Sequence, residues 1–166
     1  MLLVLTVVDI RAVGPTVWNA WKGQLLRELY QRAEEVLSGG LGSMPRAERV
    51  AAAKSRARDS LADWSDADRD TFTARHFDNY WLNYPDDDFA RHARMMREAD
   101  KSRAPLTINY RADPANAVTE MTIYAADHPG LFARFAGAIA VSGANIVSAK
   151  IATTRDGMAL DSFLIQ

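Results

Sequence analysis

The sequence predicts an α+β fold in which helices come first and a small antiparallel sheet follows. Two observations lead to this prediction. Apolar residues recur at three- to four-residue spacing before residue 102, and they alternate with polar residues along short segments after Pro105. Hydrophobic residues make up 48% and charged residues 25% of the 166 residues, so a mainly disordered or low-complexity chain is excluded.

Charged residues divide the chain into three regions. Residues 1–37 carry four basic and four acidic groups, residues 38–104 carry twelve of each, and residues 105–166 carry four basic and five acidic groups. The middle region is therefore a polar stretch between two more apolar ends. Its helices either pack on another element or form a spacer, and both interpretations stay open at this stage.

The first region predicts two helices. An apolar run over residues 1–8 starts a core helix that ends at Gly14-Pro15, and a second helix follows over residues 17–37. No basic segment precedes the run and Asp9 follows it at once, so it is not a signal peptide. It is also far shorter than the roughly 20 residues that a membrane helix needs.

The middle region predicts three helices, over residues 45–63, 65–79 and 85–102. Ser65 is placed to cap the second helix, because a serine hydroxyl accepts a hydrogen bond from a backbone N–H of the first turn. The three aspartates after Pro85 favour the positive end of the third helix dipole.

The last region predicts strands over residues 106–110, 120–125, 144–153 and 158–165. A turn is expected at residues 113–116, a helix from Leu131 to a left-handed cap at Gly143, and a hairpin turn at Asp156-Gly157. From residue 120 the order strand, helix, strand, strand is the first part of a ferredoxin-like β-α-β-β-α-β unit. Because no element follows to cover the last strand, we expect a fragment cut from a longer protein at both ends.

Composition and charge exclude several classes of function. The chain has no cysteine, which excludes disulfides, thiolate zinc sites, iron–sulfur clusters and a cysteine nucleophile. A net charge of -1 predicts no nucleic-acid partner and no binding to anionic membranes. The absence of cysteine also fits a cytoplasmic protein.

Asp9 is the first candidate functional residue. It stands in an apolar helical run, where an unpaired buried carboxylate costs several kcal/mol. It either faces solvent near the helix end and pairs with Arg11, or it ligates a metal. No neighbouring residue completes a metal site, so the other ligands would have to come from residues before Met1.

The second candidate is the segment from Asp127 to Leu131, which joins a strand to a helix. Backbone amides at a helix N-terminus bind carboxylates, Gly130 lets a ligand approach the backbone, and Asp127 can accept a hydrogen bond from an ammonium group. With His128, these features suit a free amino acid. Turn chemistry alone also accounts for them, with Asp127 as a cap, Pro129 in the first turn and Gly130 for steric relief.

The other polar and aromatic candidates are interpreted as structural. Neither His76 nor His92 has a second histidine within a helical turn, which favours helix-surface or interhelix positions. The aromatic residues of the first two regions are expected to anchor the core, because no basic groove interleaves with them. No phosphate-binding loop or nucleophile elbow is present.

Three stretches resemble a known family, in the same order along the chain. They are LTVVDIRAVGPTVWNAWKGQLL at residues 5–26, WLNYP at residues 81–85 and DHPGLFARFAGAIAVSGANIVSAKI at residues 127–151. The chain resembles the bifunctional PII-protein uridylyltransferase/uridylyl-removing enzymes of bacterial nitrogen regulation over essentially its whole length. The Trp-Asn-x-Trp-Lys-Gly segment is the most specific part, whereas Asp-His-Pro-Gly-Leu is shared by ACT domains generally.

The resemblance implies a segment of a longer enzyme. Residues 1–37 would be the last helices of an HD-type hydrolase domain, and residues 38–104 a helical connector. Residues 105–166 would be a first ACT domain that lacks its last helix and strand. The intact enzyme would transfer UMP from UTP to the PII signal protein and hydrolyse it off again under glutamine control.

The resemblance also implies roles for individual residues. Asp9 would ligate a divalent metal, Mg²⁺ or Mn²⁺, and the ACT loop would bind the amino acid through Asp127, His128, Gly130 and Leu131. The other HD ligands and the nucleotidyltransferase carboxylates are absent from this sequence, so the chain alone is expected to have neither activity.

Two other functions compete with this one. The chain can be a stand-alone ACT-type amino-acid-sensing module without catalysis, in which case the Asp127 loop is its functional part. It can also be a piece of an HD–ACT guanosine-tetraphosphate enzyme, in which the Trp-Asn-x-Trp-Lys segment is not expected.

Overall fold

The computed structural model describes residues 44–114 and 116–166, together with a few isolated helical positions before them. Arg46–Gln166 form one compact unit with its own core. The helices predicted over the first 37 residues fall outside the described ranges.

From residue 44 onwards, where the structure describes the chain, four helices precede the sheet: α1 (Arg46–Ser60), α2 (Asp66–Arg75), α3 (Asp78–Asn83) and α4 (Asp86–Ser102). The predicted cap of α2 is confirmed, because the Asp68 backbone N–H donates to the Ser65 hydroxyl at 3.2 Å. The helix predicted after Pro85 is confirmed too, with acidic residues throughout its first turn, where they favour the dipole.

The single helix predicted over residues 65–79 is wrong, since the structure ends it at Arg75. His76 is extended, with φ -96° and ψ 143°, and forms an isolated β-bridge with Thr154. The Arg155 backbone N–H also donates to the Arg75 carbonyl at 2.8 Å. Because these bonds join positions far apart in the sequence, local helix propensity does not reveal the break.

The strands are β1 (Leu106–Asp113), β2 (Val118–Ala126), β3 (Ile146–Thr153) and β4 (Met158–Ile165), and α5 (Leu131–Val141) joins β2 to β3. All pairs are antiparallel and the order is β1-β2-β4-β3. The predicted α+β fold class is confirmed. Gly143 has a φ of 86°, so its predicted left-handed conformation after α5 is confirmed.

The edge strand β1 lies beside the first strand of the ferredoxin-like part of the sheet. The elements β2, α5, β3 and β4 form the strand-helix-strand-strand unit, and β1 pairs with β2 along its whole length. In a complete split β-α-β unit of ferredoxin-like type, the last strand lies beside the first. Here β1, which precedes the unit in the sequence, fills that position.

Helices pack against both faces of the sheet. On one face, Tyr124 of β2 and Leu160 of β4 belong to a core cluster with the buried side chains of α1 to α4. On the other face, α5 packs through Phe135 and Ile139 against Phe163. Of the two interpretations of residues 45–102, the structure therefore shows helices that pack on the sheet.

No helix in the part of the chain that the structure describes is long and apolar enough to cross a membrane.

Candidate functional site

The loop between β2 and α5 is exposed from Asp127 to Gly130. Gly130 has a φ of 82°, a left-handed conformation that glycine adopts without the strain of a side chain. No side chain caps the first turn of α5. Since the first turn of a helix carries partial positive charge and N–H groups without helical partners, this loop presents a suitable place for a carboxylate.

Two hydrogen bonds tie the loop to the β3–β4 hairpin. The Asp127 backbone N–H donates to the Gly157 carbonyl at 2.9 Å, and the Thr153 hydroxyl donates to Asp127 Oδ2 at 3.1 Å. The Asp127 carboxylate therefore lies at the start of the loop, where the Thr153 hydroxyl of the hairpin orients it.

The structure brings Asp127, His128 and Gly130 together on the exposed loop, while Leu131 points inward. His128 is exposed, and its Nδ1 lies 3.2 Å from the Pro129 carbonyl oxygen. The Leu131 side chain is buried in a small cluster with Ala125 of β2 and Ala159 of β4. Leu131 thus anchors α5 to the sheet, and ligand binding by the four residues stays a prediction.

Sequence reasoning missed Asp161 of β4, which is 2% exposed and whose Oδ1 has no hydrogen-bond partner among the described residues. Its neighbours on the same face of β4 are Ala159 and Phe163. Ala159 packs with Leu131, and the ring of Phe163 stacks on Phe132 with centroids 5.5 Å apart. Asp161 therefore lies beneath the first turn of α5.

Two effects raise the pKa of Asp161 to about 6. Burial is the larger, because it disfavours the charged carboxylate, and the charge of Asp127 adds to it, whereas a hydrogen bond from the Ala152 backbone acts in the opposite direction. The pattern of β4 contained a signal for this residue, since Ala159, Asp161 and Phe163 share one face and only the aspartate is polar.

We expect Asp161→Asn to raise the free energy of unfolding at pH 7 by about 1–3 kcal/mol, because a carboxyl group with a raised folded-state pKa is destabilising once ionised. The penalty is present above pH 6 and absent below pH 3.8, so the gain should disappear as the pH falls through this window. Urea unfolding at pH 7.5 and pH 4 measures it. Asp59→Asn, which changes an exposed carboxylate of α1, is the control, and an equal gain in both variants would contradict the assignment.

Asp9, the predicted metal ligand, lies outside the described residues. Within residues 44–114 and 116–166, no group of three or more histidine, aspartate or glutamate side chains is arranged to hold a metal ion. The metal prediction therefore rests on the resemblance alone.

The structure places His76 and His92 in the core, at 1% and 0% exposure. The ring of Tyr80 lies between them: it stacks on His76 with centroids 3.7 Å apart, and its hydroxyl is 3.1 Å from His92 Nδ1. Phe72 and Trp81 are buried in the same cluster, so these aromatic residues are core anchors, as expected from the sequence.

The fold and the loop together define an α+β unit of ferredoxin-like topology with a candidate site for a small ligand. Over its whole length the chain is 51% identical to a segment of the bifunctional uridylyltransferase/uridylyl-removing enzyme of Azospirillum brasilense. It is 50% identical to that of Gluconobacter oxydans and, over 99% of its residues, 49% identical to that of Rhodopseudomonas palustris. The chain spans 18% of the length of each of these relatives.

Two further comparisons found nothing similar. No protein-family model matches the chain, and no solved structure matches it.

Proposed function

We propose that this chain is the part of a bifunctional uridylyltransferase/uridylyl-removing enzyme that helps to control its two activities. The intact enzyme would transfer UMP from UTP to the PII signal protein in the cytoplasm and hydrolyse it off again. The observation that supports this proposal is the identity of about half of all residues, over the full chain, to enzymes of that name. A stand-alone sensing module is less well supported, because those relatives are several times longer.

The role proposed for residues 105–166 is to bind glutamine at the loop before α5. The α-carboxylate would lie at the uncapped first turn of α5, where the helix dipole and backbone N–H groups favour an anion. The ammonium group would lie at Asp127, whose carboxylate is oriented by Thr153. Gly130 leaves the approach open, since nothing lies within 4 Å of where a side chain would begin.

Binding alone does not regulate an enzyme. Glutamine shifts the balance between transfer and removal only if its affinity differs between two states of the protein. The helices α1 to α4 pack on the same sheet that carries the loop, so they are the proposed physical connection to the rest of the enzyme.

In the proposed enzyme, Asp9 would be one ligand of a divalent metal, Mg²⁺ or Mn²⁺, and that metal would activate water for removal of the uridylyl group. We expect Asp9→Asn in the full-length protein to abolish removal of UMP from uridylylated PII and to leave uridylyl transfer unchanged. Release of UMP and its incorporation into PII are measured separately, with Asp59→Asn as the control. Equal loss of both activities, or of neither, would contradict the role of Asp9.

The loop has its own test in the full-length enzyme. We expect Asp127→Ala to raise the glutamine concentration needed for half-maximal control at least about tenfold, because a charge-assisted hydrogen bond is lost. The two activities without glutamine should stay unchanged. An unaltered glutamine response would reject this loop as the site, whereas absence of both activities from the wild-type protein would reject the enzyme assignment itself.

A further inference from the structure

A second candidate ligand site lies on the opposite face of the sheet. A cavity of about 420 Å³ opens between the beginning of α4 and the strands. Its polar lining comes from α4 and all four strands: Asp88, Arg111, Asp113, Glu120, Ser148, Lys150 and Ser162. Glu120 and Ser162 alternate with Met121 and Phe163, which pack towards α5, so the cavity faces away from α5 and from the Asp127 loop.

The sheet face that lines the cavity carries apolar side chains at one end and polar side chains at the other. Towards one end it carries Tyr124 and Leu160, which are buried under the helical layer. Towards the other end of the same two strands, Glu120 of β2 and Ser162 of β4 line the cavity instead. The helices therefore cover the apolar part of this face and leave its polar part open, so that several polar groups converge on the cavity.

The buried Asp88 and the largely buried Glu120 hold Arg111 at the cavity wall. Its Nη2 lies 2.9 Å from Asp88 Oδ1 and 2.7 Å from Glu120 Oε2. Arg91 Nη2 contacts the same two oxygens at 3.0 Å and 2.8 Å. The Asp88 and Glu120 side chains are only 1% and 12% exposed, whereas that of Arg111 is 46% exposed. The network thus fixes a guanidinium whose other N–H groups remain near solvent.

Lys150 brings a second positive charge to the cavity wall. Within the described ranges it forms no ion pair, and its ammonium lies 5.4 Å from the centre of the Tyr84 ring. The Tyr84 hydroxyl is 3.1 Å from the Lys150 carbonyl oxygen, which fixes the backbone at this residue. The cavity therefore combines an oriented guanidinium with an unpaired ammonium, and both are donors suited to a carboxylate.

Asp88 provides an independent observation. Although the residue is fully buried, its Oδ2 has no hydrogen-bond partner in the described part of the chain. An unsatisfied buried carboxylate oxygen costs free energy, and a ligand that supplies a hydroxyl or amino hydrogen would recover it.

We propose that this cavity binds a small hydroxy or amino acid. Its carboxylate pairs with Lys150 and Arg111, and its hydroxyl or amino group donates to Asp88 Oδ2. A carboxylate suits the cavity better than a doubly charged phosphate, because the nearby charges of Asp88, Asp113 and Glu120 repel additional negative charge. The site is separate from the Asp127 loop and does not depend on the function proposed for that loop.

The test is an NMR titration of the ¹⁵N-labelled 166-residue chain with lactate, and with acetate and inorganic phosphate for comparison. We expect saturable shifts of amide signals in β1 and β3, with lactate binding more tightly than acetate or phosphate. Lys150→Met should weaken lactate binding at least about tenfold, whereas Lys150→Arg should retain it. Lys101→Met, which removes an exposed ammonium at the end of α4, is the matched control.

Several outcomes would overturn the proposal. They are an absence of saturable shifts, equal binding by wild type and Lys150→Met, and tighter binding of phosphate than of lactate. Shifts confined to residues 127–131 would also overturn it, since the ligand would then occupy the loop and leave the cavity empty.

Discussion

Replacement of Asp88 by alanine is expected to lower the free energy of unfolding by about 3–5 kcal/mol. The Asp88 carboxylate accepts a hydrogen bond from Arg91 and forms an ion pair with Arg111, and its removal leaves two guanidiniums against the single carboxylate of Glu120. The free-energy cost is greatest at Arg91, because its side chain is only 18% exposed and water cannot fully replace the lost carboxylate. Urea unfolding followed by circular dichroism measures the change.

Asp87→Ala is the matched control for this prediction. Asp87 stands next to Asp88 in the first turn of α4, so both carboxylates interact with the same helix dipole, but Asp87 is exposed. We expect its removal to change the unfolding free energy by less than about 1 kcal/mol. Should Asp88→Ala unfold the chain no more readily than Asp87→Ala, the buried network would not be a major source of stability.

The second large effect is a loss of stability in mild acid. Burial is the main reason that the pKa of both His76 and His92 falls to about 3, and the positive charge of Arg91 contributes at His92. The unfolded chain takes up these protons near pH 6.5, which the folded chain does not. The histidines therefore contribute their full stability above pH 6.5 and lose it progressively as the pH falls towards 3.

Between pH 6.5 and pH 4.5 this loss should reach about 2–3 kcal/mol per histidine. Protonation of Asp161 stabilises the fold as the pH falls, because its folded-state pKa is raised to about 6. This gain at one carboxyl group is smaller than the combined loss at the two histidines. We expect urea midpoints to fall steadily over this range of pH. Unchanged midpoints would contradict the burial of neutral histidines.

His76→Phe should remove about half of the histidine-dependent loss. Neither ring nitrogen of His76 has a hydrogen-bond partner among the described residues, and phenylalanine preserves the stacking on Tyr80. His128→Phe alters an exposed histidine and serves as the control. A flatter pH profile in His128→Phe than in His76→Phe would contradict the assignment of the acid sensitivity to the buried histidines.

Local sequence signals predicted most of the fold, because they report interactions within a few residues. The Ser65 hydroxyl caps α2 from three residues away, and Gly143 adopts its left-handed conformation one residue after the helical cap. Alternation along residues 120–125 and 158–165 predicted strands that the structure extends or reproduces. The exposed loop at Asp127 was also predicted from its neighbours alone.

Other features depend on partners that local patterns do not identify. The helix break at His76 arises from bonds to Thr154 and Arg155. Asp161 is unusual only because α5 covers it, and the pairing of Arg111 with Asp88 requires β1 to lie beside the beginning of α4. Each of these contacts joins segments that are distant in the sequence, so spacing and propensity carry no direct record of them.

The sequence by itself thus determined the α+β class, the places of most helices and strands, the loop at Asp127 and, through its similarity, the enzyme to which we assign the chain. Only the tertiary structure decided that α1 to α4 cover the sheet, that β1 takes its edge position, and that Asp161, Lys150 and Asp88 stand at candidate sites. The physical reason is that helices, caps and turns form from near neighbours, whereas burial and charge pairing are properties of the assembled core.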